Sequence, residues 1–377
     1  MNRSSDRILT THVGSLPYLD LAVEPSRDEA TLRDHTHRIV ERQRAAGLDI
    51  INEGEYTKGG DWLSYMDGRL SGFEARPPGG SGATIARGRD REEFADFYAY
   101  AAKQGSLFYL PGGQIRTSRP NWVCTGPVGY QAQVSLRREI DLLRGLQGAN
   151  EAFLTSTAPA SLEPYYADEF YHSESNYLYA FADAMREEYE AIVAAGLILQ
   201  VDDAWLPALW DRIGIPMGLE PFRARCGLRI EALNHALANV PEERVRYHFC
   251  WGSWHGPHVY DIEMRFMVDL MLRVKAQAYS FEAANARHEH EYAVWETVKL
   301  PEGKIIIPGV VTHSTDVVEH PELVAQRLAR FARLVGRENV IAGADCGFGG
   351  RTHQQIAWAK LSSLVEGAAL ASRELWK

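Results

Sequence analysis

The sequence predicts an α/β protein whose core is a TIM (β/α)8 barrel. Short apolar runs alternate along the 377 residues with longer segments in which apolar residues recur every three or four positions. This alternation is typical of βαβ units and of a parallel sheet, and eight such strands with intervening helices indicate a barrel. The periodic segments predict helices at 31–46, 180–195, 229–238 and 321–334.

Eight runs carry the strand pattern, and we expect them to form the barrel: 7–14, 48–55, 121–127, 197–203, 244–251, 277–283, 304–311 and 338–346. A ninth run at 152–159 lies in the long connection between the third and fourth of these strands, and we interpret it as an addition to the barrel. Residues 56–120 do not follow the alternation, and the Pro- and Gly-rich segment 77–82 within them is typical of loops. We therefore predict a single barrel domain spanning 1–377, with an excursion at about 56–120 over one barrel mouth.

The composition excludes several classes of partner. The formal net charge of -10 argues against nucleic acid, whose phosphates require a basic surface. No run approaches the roughly 20 apolar residues of a membrane span, and residues 1–6 lack the apolar core of a signal peptide. We expect a cytoplasmic protein. Its four cysteines are then structural, catalytic or metal-binding thiols, since disulfide frameworks belong to small secreted domains.

Polar or reactive residues stand where the predicted strands end. They are Ser15, Glu55, Asp202, Asp203, His248, Cys250, Glu282 and Cys346. The active site of a TIM barrel is built at the C-terminal ends of its strands. We therefore expect these side chains to meet at one barrel mouth.

Four of these residues form a plausible zinc ligand set. His248 and Cys250 are two apart on a predicted strand, so their side chains face the same way. Cys346 precedes a Gly-rich turn, and Glu282 ends another strand. One imidazole, two thiolates and one carboxylate suit tetrahedral Zn²⁺, and a weakly held fourth ligand would leave a position for a substrate thiol. The motif H-x-C is weak by itself, because a buried cysteine usually serves as a small apolar side chain.

Two further clusters follow the ligand candidates. The segment 251–258 is rich in aromatic residues, which we expect to wall the mouth and exclude water. The segment 284–291 is dense in titratable groups, and His288 and His290 within it suggest either a second metal site or a solvated helix start, of which we favour the second.

The motifs along the chain resemble those of cobalamin-independent methionine synthase, and especially the short, single-barrel relatives of its catalytic barrel, which share a superfamily with uroporphyrinogen decarboxylase. The matching segments are TTHVGSLP at 10–17, EGE at 53–55, TGPV at 125–128 on the family's third strand, QVDD at 200–203, HFC at 248–250, SFEA at 280–283, PGVVTHS at 308–314 and DCG at 345–347. Their order along the chain is the same as in the family.

The resemblance implies a role for each matching residue. Zinc would be bound by His248, Cys250, Glu282 and Cys346, and His313 would act as general acid. Ser15, Glu55 and Asp202 match the residues that hold the amino-acid part of homocysteine in the family. Carboxylates suit the ammonium group, and a hydroxyl with backbone N–H groups suits the carboxylate. Alternatively, Glu55 and Asp202 pair with barrel arginines, and His313 is a structural histidine bonded to the backbone.

The chain departs from the family on the methyl-donor side. Full-length methionine synthases have two barrels, and this chain has room for one. The family carries a pterin-stacking Trp after its third-strand motif, where this chain has none; Tyr130, Trp122 and Trp205 are possible substitutes. Methyltetrahydrofolate is therefore a candidate co-substrate that depends on the resemblance alone.

We weigh three kinds of function. The first is a zinc-dependent methyltransferase acting on the thiol of homocysteine or a related small thiol. The second is an epoxyalkane:coenzyme M transferase-type enzyme, whose sulfonate substrate would need Arg or Lys; Arg69, Arg116, Arg119 and Arg351 are candidates. The third is a non-catalytic ligand- or metal-binding barrel. The partners are then a small thiol and a methyl or alkyl donor, while the oligomeric state is not predicted.

Overall fold

The computed structural model describes residues 1–18, 28–58, 63–77, 88–104, 120–146, 148 and 150–377. Its strands, in chain order, are β1 Leu9–Thr10, β2 Ile50–Ile51, β3 Leu70–Arg76, β4 Asn121–Tyr130, β5 Glu151–Thr157, β6 Tyr166–Asp168, β7 Ile198–Asp203, β8 Val245–Phe249, β9 Ala278–Phe281, β10 Ile305–Val311 and β11 Ile341–Ala344.

Eight of these strands form a parallel sheet in the order β1-β11-β10-β9-β8-β7-β5-β2. The two end strands meet through a bond of 3.1 Å from the backbone N–H of Asp49 to the carbonyl of Thr10, which brings the sheet close to closure. Sequential parallel strands with helices between them are the TIM-barrel arrangement. The predicted fold class is confirmed.

The helices are α1 Glu29–Ala46, α2 Arg89–Glu93, α3 Ala95–Gln104, α4 Gln133–Leu146, α5 Pro159–Leu162, α6 Glu174–Ala194, α7 Trp205–Ala208, α8 Ile215–Met217, α9 Leu219–Ala236, α10 Val268–Met271, α11 Pro321–Val335 and α12 Gln354–Leu375. All four predicted helices are present, in α1, α6, α9 and α11. Local chemistry sets their ends: Asp28 caps α1 by accepting from the N–H of Thr31, and Gly47 ends it with φ of 86°. None of the helices within the described ranges is long and apolar enough to cross a membrane.

The identity of the third barrel strand differs from the prediction. β5, predicted as an addition, pairs with β2 and β7 inside the barrel. β4, predicted as a barrel strand, pairs instead with β3 and β6 in a separate three-stranded sheet, so TGPV at 125–128 is not on a barrel strand. Burial explains the exchange, because six of the seven β5 residues are buried, whereas β4 has an exposed face. Pro127 and two glycines within β4 also disfavour a central strand.

Apolar side chains fill the end of the barrel opposite the mouth. Ile50, Phe153, Ile198, Ala278, Ile305, Ile307 and Ile341 form a buried cluster of their own, against which Met1 and Leu9 pack. The larger apolar core lies between the sheet and the helices. Polar functional groups are thus left to the strand C-termini.

The excursion predicted at 56–120 is only partly within the described residues. Segments 59–62, 78–87 and 105–119 lie outside them, and so do the candidates Arg116 and Arg119. Of the remainder, β3 joins the side sheet, and the hydroxyl of Tyr98 in α3 accepts a hydrogen bond of 3.2 Å from the indole N–H of Trp254. The extent of the excursion and the single-domain organisation stay predictions.

Candidate active site

Neighbouring strand ends place their side chains in register at the barrel mouth. Thr157 of β5 pairs with Asp202 of β7, Asp202 pairs with His248 of β8, and His248 pairs with Ser280 of β9. Each residue is at or near the C-terminus of its strand, where the backbone directs these side chains into the mouth. Four adjacent strands therefore present one continuous polar row.

A compact metal-binding cluster lies within this mouth. One donor atom each from His248, Cys250 and Cys346 lies within 4.8 Å of the others, and all three residues are buried. The two sulfurs are 3.8 Å apart. The structure thus brings together three of the four predicted ligands. It is also the one such group found among the residues that the structure describes, so the second site suggested at His288 and His290 is not formed there.

The geometry of these donors fits a tetrahedral zinc site. Two sulfurs that each bind zinc at about 2.3 Å with a tetrahedral angle lie about 3.8 Å apart, which matches the separation of Cys250 and Cys346. Nε2 of His248 is buried and has no hydrogen-bond partner among the described residues. Nδ1 of the same ring lies 3.3 Å from the hydroxyl of Ser280, the kind of contact that orients a metal-binding imidazole.

Glu282, the fourth predicted ligand, lies beside the cluster. Its Oε1 is 3.4 Å from Sγ of Cys250 and accepts a hydrogen bond of 3.1 Å from the N–H of Trp251. The side-chain amide of Asn285 donates to its other oxygen at 2.8 Å and to Asp345 at 3.1 Å. Burial raises the pKa of Glu282 to about 7. Asn285 therefore links the fourth candidate ligand to the residue that precedes Cys346.

Asn285 is a site residue that the sequence analysis did not select. It stands three residues after Glu282, two positions beyond the SFEA motif, and its side chain is buried. The signal available in the sequence was an amide side chain this close to a candidate ligand.

Ser15 packs directly against the loop that follows Cys346. A Cβ on Gly347 would lie 2.1 Å from the Ser15 hydroxyl, so a side chain there would displace that hydroxyl. The Ser15 carbonyl also accepts hydrogen bonds from the N–H groups of Phe348 and Gly349, at 2.9 and 3.1 Å. The predicted carboxylate-binding residue and the second cysteine thus lie at one side of the mouth.

Glu55 and Asp202 are close enough to influence one another's ionisation. Glu55 has a φ of 60°, a conformation that is unusual for a residue other than glycine and is found mostly at functional sites. Burial raises its pKa to about 8; Lys58 opposes this rise, and the charge on Asp202 adds to it. Loss of hydration likewise raises the pKa of Asp202 to about 6. Neither carboxylate forms an ion pair with an arginine among the described residues, since Asp202 accepts from Gln200 and Glu55 from Thr155.

Lys58 and Thr155 complete this part of the site, and the sequence analysis missed both. The Lys58 ammonium donates to the Thr155 hydroxyl at 2.8 Å, and that hydroxyl donates to Glu55 at 2.9 Å. The ammonium is also 3.6 Å from Glu53, in an ion pair whose side chains are 1% and 0% exposed. A lysine three residues after Glu55 was a detectable signal, whereas Thr155 became relevant only once β5 was a barrel strand.

His313 is buried just after β10. Its Nδ1 has no hydrogen-bond partner among the described residues, and burial lowers the pKa of its ring to about 3. The ring is therefore neutral at pH 7. A second histidine stands beside it, since Nε2 of the half-buried His255 lies 3.3 Å from the His313 carbonyl.

The aromatic segment after Cys250 packs inward and is braced by a buried carboxylate. Trp251 stacks on the ring of His288, with centroids 4.2 Å apart. Asp261 binds His288 at 3.1 Å and His258 at 3.0 Å. His288 is 3% exposed, so the expectation of a solvated helix start at 284–291 is wrong at this residue. The brace connects the loops that follow Cys250 and Glu282.

The three aromatic residues considered for the methyl-donor side differ in position. Trp205 directly follows β7 at the mouth and has the Arg212 guanidinium 4.6 Å over its ring. Trp122 is in the side sheet, and Tyr130 donates a hydrogen bond of 2.6 Å to buried Glu188. Of these three, only Trp205 follows a barrel strand.

Comparison with known proteins identifies the family. A family model described as the catalytic domain of cobalamin-independent synthase matches residues 167–370, more than half of the chain. The chain belongs to this family. The family membership inferred from the motifs is thereby confirmed, and with it an enzyme of the methionine synthase type.

Known proteins resemble this chain over most of its length. A Bacillus subtilis protein named YxjH is 23% identical over 97% of this chain and 94% of its own. A methionine synthase of Saccharolobus solfataricus is 25% identical over 76% of this chain and 77% of its own. The solved structure of a B12-independent methionine synthase from Shewanella, in complex with selenomethionine, covers 98% of this chain and 99% of its own with a TM-score of 0.74 at 20% identity.

Proposed function

We propose that this protein is a zinc-dependent methyltransferase that transfers a methyl group to the thiol of homocysteine or a related small thiol. The observation that carries the proposal is the buried cluster of His248, Cys250 and Cys346, whose sulfur separation of 3.8 Å suits one zinc ion. The names of its relatives, among them a Saccharolobus methionine synthase, agree with this activity.

The protein residues would hold the metal and keep one side of it available. His248, Cys250 and Cys346 would bind the zinc ion, with Glu282 as a fourth, exchangeable ligand. A bound zinc ion supplies Lewis acidity, which lowers the pKa of a coordinated thiol enough for the thiolate to exist at neutral pH. The hydrogen bonds from Trp251 and Asn285 give Glu282 partners when it is not bound to metal.

The two polar ends of an amino-acid thiol would be held by neighbouring groups at the mouth. Glu55 and Asp202 offer negative charge for the ammonium group. The Ser15 hydroxyl, beside the loop that follows Cys346, would bind the carboxylate. Holding both ends would orient the thiol for in-line attack on the methyl group.

His313 would assist departure of the group that loses the methyl. Because its ring is neutral in the free protein, its role would be to donate a hydrogen bond to the leaving atom, as a neutral imidazole can do in a buried site. The identity of the methyl donor is a separate proposal: methyltetrahydrofolate follows from the family, with Trp205, which follows β7, as a candidate aromatic surface for it.

A second thiol substrate is favoured by one observation. Arg351 donates a hydrogen bond of 2.8 Å to the Gly349 carbonyl and another to the Ser253 hydroxyl, which places a cation between the two cysteine loops. A sulfonate would suit this cation, as in the epoxyalkane:coenzyme M transferase-type alternative. The carboxylate of homocysteine can use the same residue, so Arg351 does not by itself decide between the thiols.

Elemental analysis followed by thiol titration tests the proposal. We expect about one zinc per chain in protein purified without chelators, as for a closed structural or catalytic site. Homocysteine should bind to this zinc-loaded protein with release of a proton, whereas coenzyme M should bind more weakly. Absence of zinc would contradict the mechanism, and tighter binding of coenzyme M would favour the alkyltransferase.

A further inference from the structure

The carboxylates around Glu55 outnumber the cations that face them. Glu53 and Glu55 come from the loop after β2, and Asp202 comes from β7. Lys58, from the turn after Glu55, and Arg246, two residues before His248 on β8, are the lysine and arginine whose charge acts on them, and the ring of His248 also acts on Asp202. His248 is neutral when it serves as a metal ligand. Among the described residues three carboxylates then face two cations, which leaves this part of the barrel one positive charge short, because water screens buried charges poorly.

Both cations already have other partners. The Lys58 ammonium is committed to Glu53, at 3.6 Å, and to Thr155, at 2.8 Å. The Arg246 guanidinium donates to the Thr11 hydroxyl at 3.0 Å and to the His12 carbonyl at 2.6 Å. Neither forms an ion pair with Glu55 or Asp202 within the part of the chain described. The positive charge that these carboxylates lack must therefore come from a proton in the ligand-free protein or from a ligand.

Glu55 is held in place by a hydrogen bond and by close packing. Thr155 donates to its Oε1, and a Cβ on Gly14 would lie 2.4 Å from the same oxygen, so backbone packs closely against it. Asp202 is only partly buried and opens toward the mouth. The groups that face Glu55 are thus Lys58 and Glu53 on its own loop, Thr155 on β5, Asp202 on β7 and the uncharged backbone of Gly14.

We propose that Lys58 and Thr155 position Glu55 as a site where a proton is exchanged for an ammonium group. In the ligand-free protein Glu55 carries a proton, and the ammonium group of an amino-acid thiol displaces this proton to solvent. The O–H bond of the Glu55 carboxyl breaks, its electron pair stays on the carboxylate, and the proton goes to buffer while the ammonium keeps its three protons. The raised pKa of Glu55, about 8, agrees with this charge balance. The inference rests on the proposed function, and it makes the amino group a determinant of substrate choice.

Proton counting with two thiols tests the exchange in the wild-type protein. Homocysteine and 4-mercaptobutyrate share the thiol and the carboxylate, but only homocysteine carries an ammonium group. Calorimetric titration of the zinc-loaded protein at pH 6.5, in buffers of different ionisation enthalpy, gives the protons released by each. We expect homocysteine to release about one proton more than 4-mercaptobutyrate, and the difference to shrink toward zero as the pH rises past the Glu55 pKa.

Variants separate positioning from general stability. Glu55→Gln should abolish the difference in proton release while leaving the zinc content unchanged. Thr155→Val, which is nearly isosteric, and Lys58→Met should weaken homocysteine binding by roughly tenfold or more and 4-mercaptobutyrate binding far less. Lys58→Arg should restore part of the homocysteine affinity.

The outcomes distinguish this inference from the proposed function. If neither thiol binds to the zinc-loaded protein, the proposed function fails. If both bind and release equal numbers of protons from pH 6.5 to 8.5, the exchange is overturned although the thiol chemistry stands. If Lys58→Met does not fold, the comparison of the two thiols in the wild-type protein and the Thr155→Val variant still test the exchange.

Discussion

The sulfur atoms of Cys250 and Cys346 lie 3.8 Å apart although 96 positions separate them in the chain. One follows β8 and the other follows β11, and two barrel strands stand between them. Their approach is a consequence of barrel curvature, which directs side chains from non-adjacent strand ends toward a common axis. Disulfide formation would consume both donors, so a reduced state is required for metal binding.

Replacing either cysteine should remove the metal. For Cys250→Ser and Cys346→Ser we expect zinc affinity to fall at least about a hundredfold. Removal of a hydrogen-bond partner of a metal ligand already lowers metal affinity by up to about that factor, and these variants remove the ligand itself. Competition with a chromophoric chelator measures the affinity. Cys226→Ser is the matched control, because Cys226 is also buried but its sulfur faces the Leu206 carbonyl away from the cluster. Full zinc retention by Cys250→Ser would refute the ligand assignment.

The role of His313 can be resolved by keeping or removing a hydrogen-bond donor. If the neutral ring donates a hydrogen bond to the leaving group, His313→Ala should lower kcat by about 10²-fold, whereas His313→Gln, which keeps an N–H donor, should lose only about tenfold. Zinc content and homocysteine affinity should not change in either variant. The exposed His37 provides a control in His37→Asn. Equal and complete losses in Ala and Gln variants would indicate true proton transfer instead.

Asp261 should contribute stability that disappears at alkaline pH. Although burial opposes it, bonding to Asp261 raises the pKa of His258 to about 9, and bonding to Asp261 and Glu291 raises that of His288 to about 10. Raised pKa values mean that this stabilisation is complete below about pH 6.5 and is lost as the pH passes 9 to 10. Asp261→Asn should therefore lower the free energy of unfolding by about 3–5 kcal/mol at pH 7 and by much less at pH 10.

Urea unfolding at the two pH values measures this difference. Asp34→Asn is a suitable control, because Asp34 is 64% exposed and lies 3.8 Å from Arg38 on the same helix. That surface pair should contribute little at either pH. A penalty for Asp261→Asn that is unchanged at pH 10 would show that the imidazolium charges are not responsible.

The ion-pair network beneath the side sheet should be essential for its attachment. Arg69 binds Glu188 at 2.9 Å and also Glu139, and these three side chains are nearly fully buried. Arg69→Met leaves two buried carboxylates without their cation, so we expect a loss of about 3–5 kcal/mol in the free energy of unfolding. Arg33→Met, which breaks an exposed pair with Glu29, should change it by less than about 0.5 kcal/mol. Similar effects in both variants would contradict this view of the network.

The local pattern of the sequence predicted much of the fold and part of the proposed ligand set. A period of 3.6 residues predicts the amphipathic helices, because one face of each packs on the barrel. On β8, the period of two in an extended strand places His248 and Cys250 on one side, and this required no knowledge of the rest of the chain. The order of the family motifs supplied Cys346 and Glu282, which spacing alone could not connect.

The tertiary structure decided which strands close the barrel and which charges meet. β4 and β5 both read as strands, and only non-local hydrogen bonding determined that β5 pairs with β2 and β7. Thr155 acquired its contact with Glu55 through that pairing, and Asp261 contacts His288 from the loop that follows β8. Such contacts depend on strand register and loop closure, which the local sequence does not encode because they join residues that are remote in the chain.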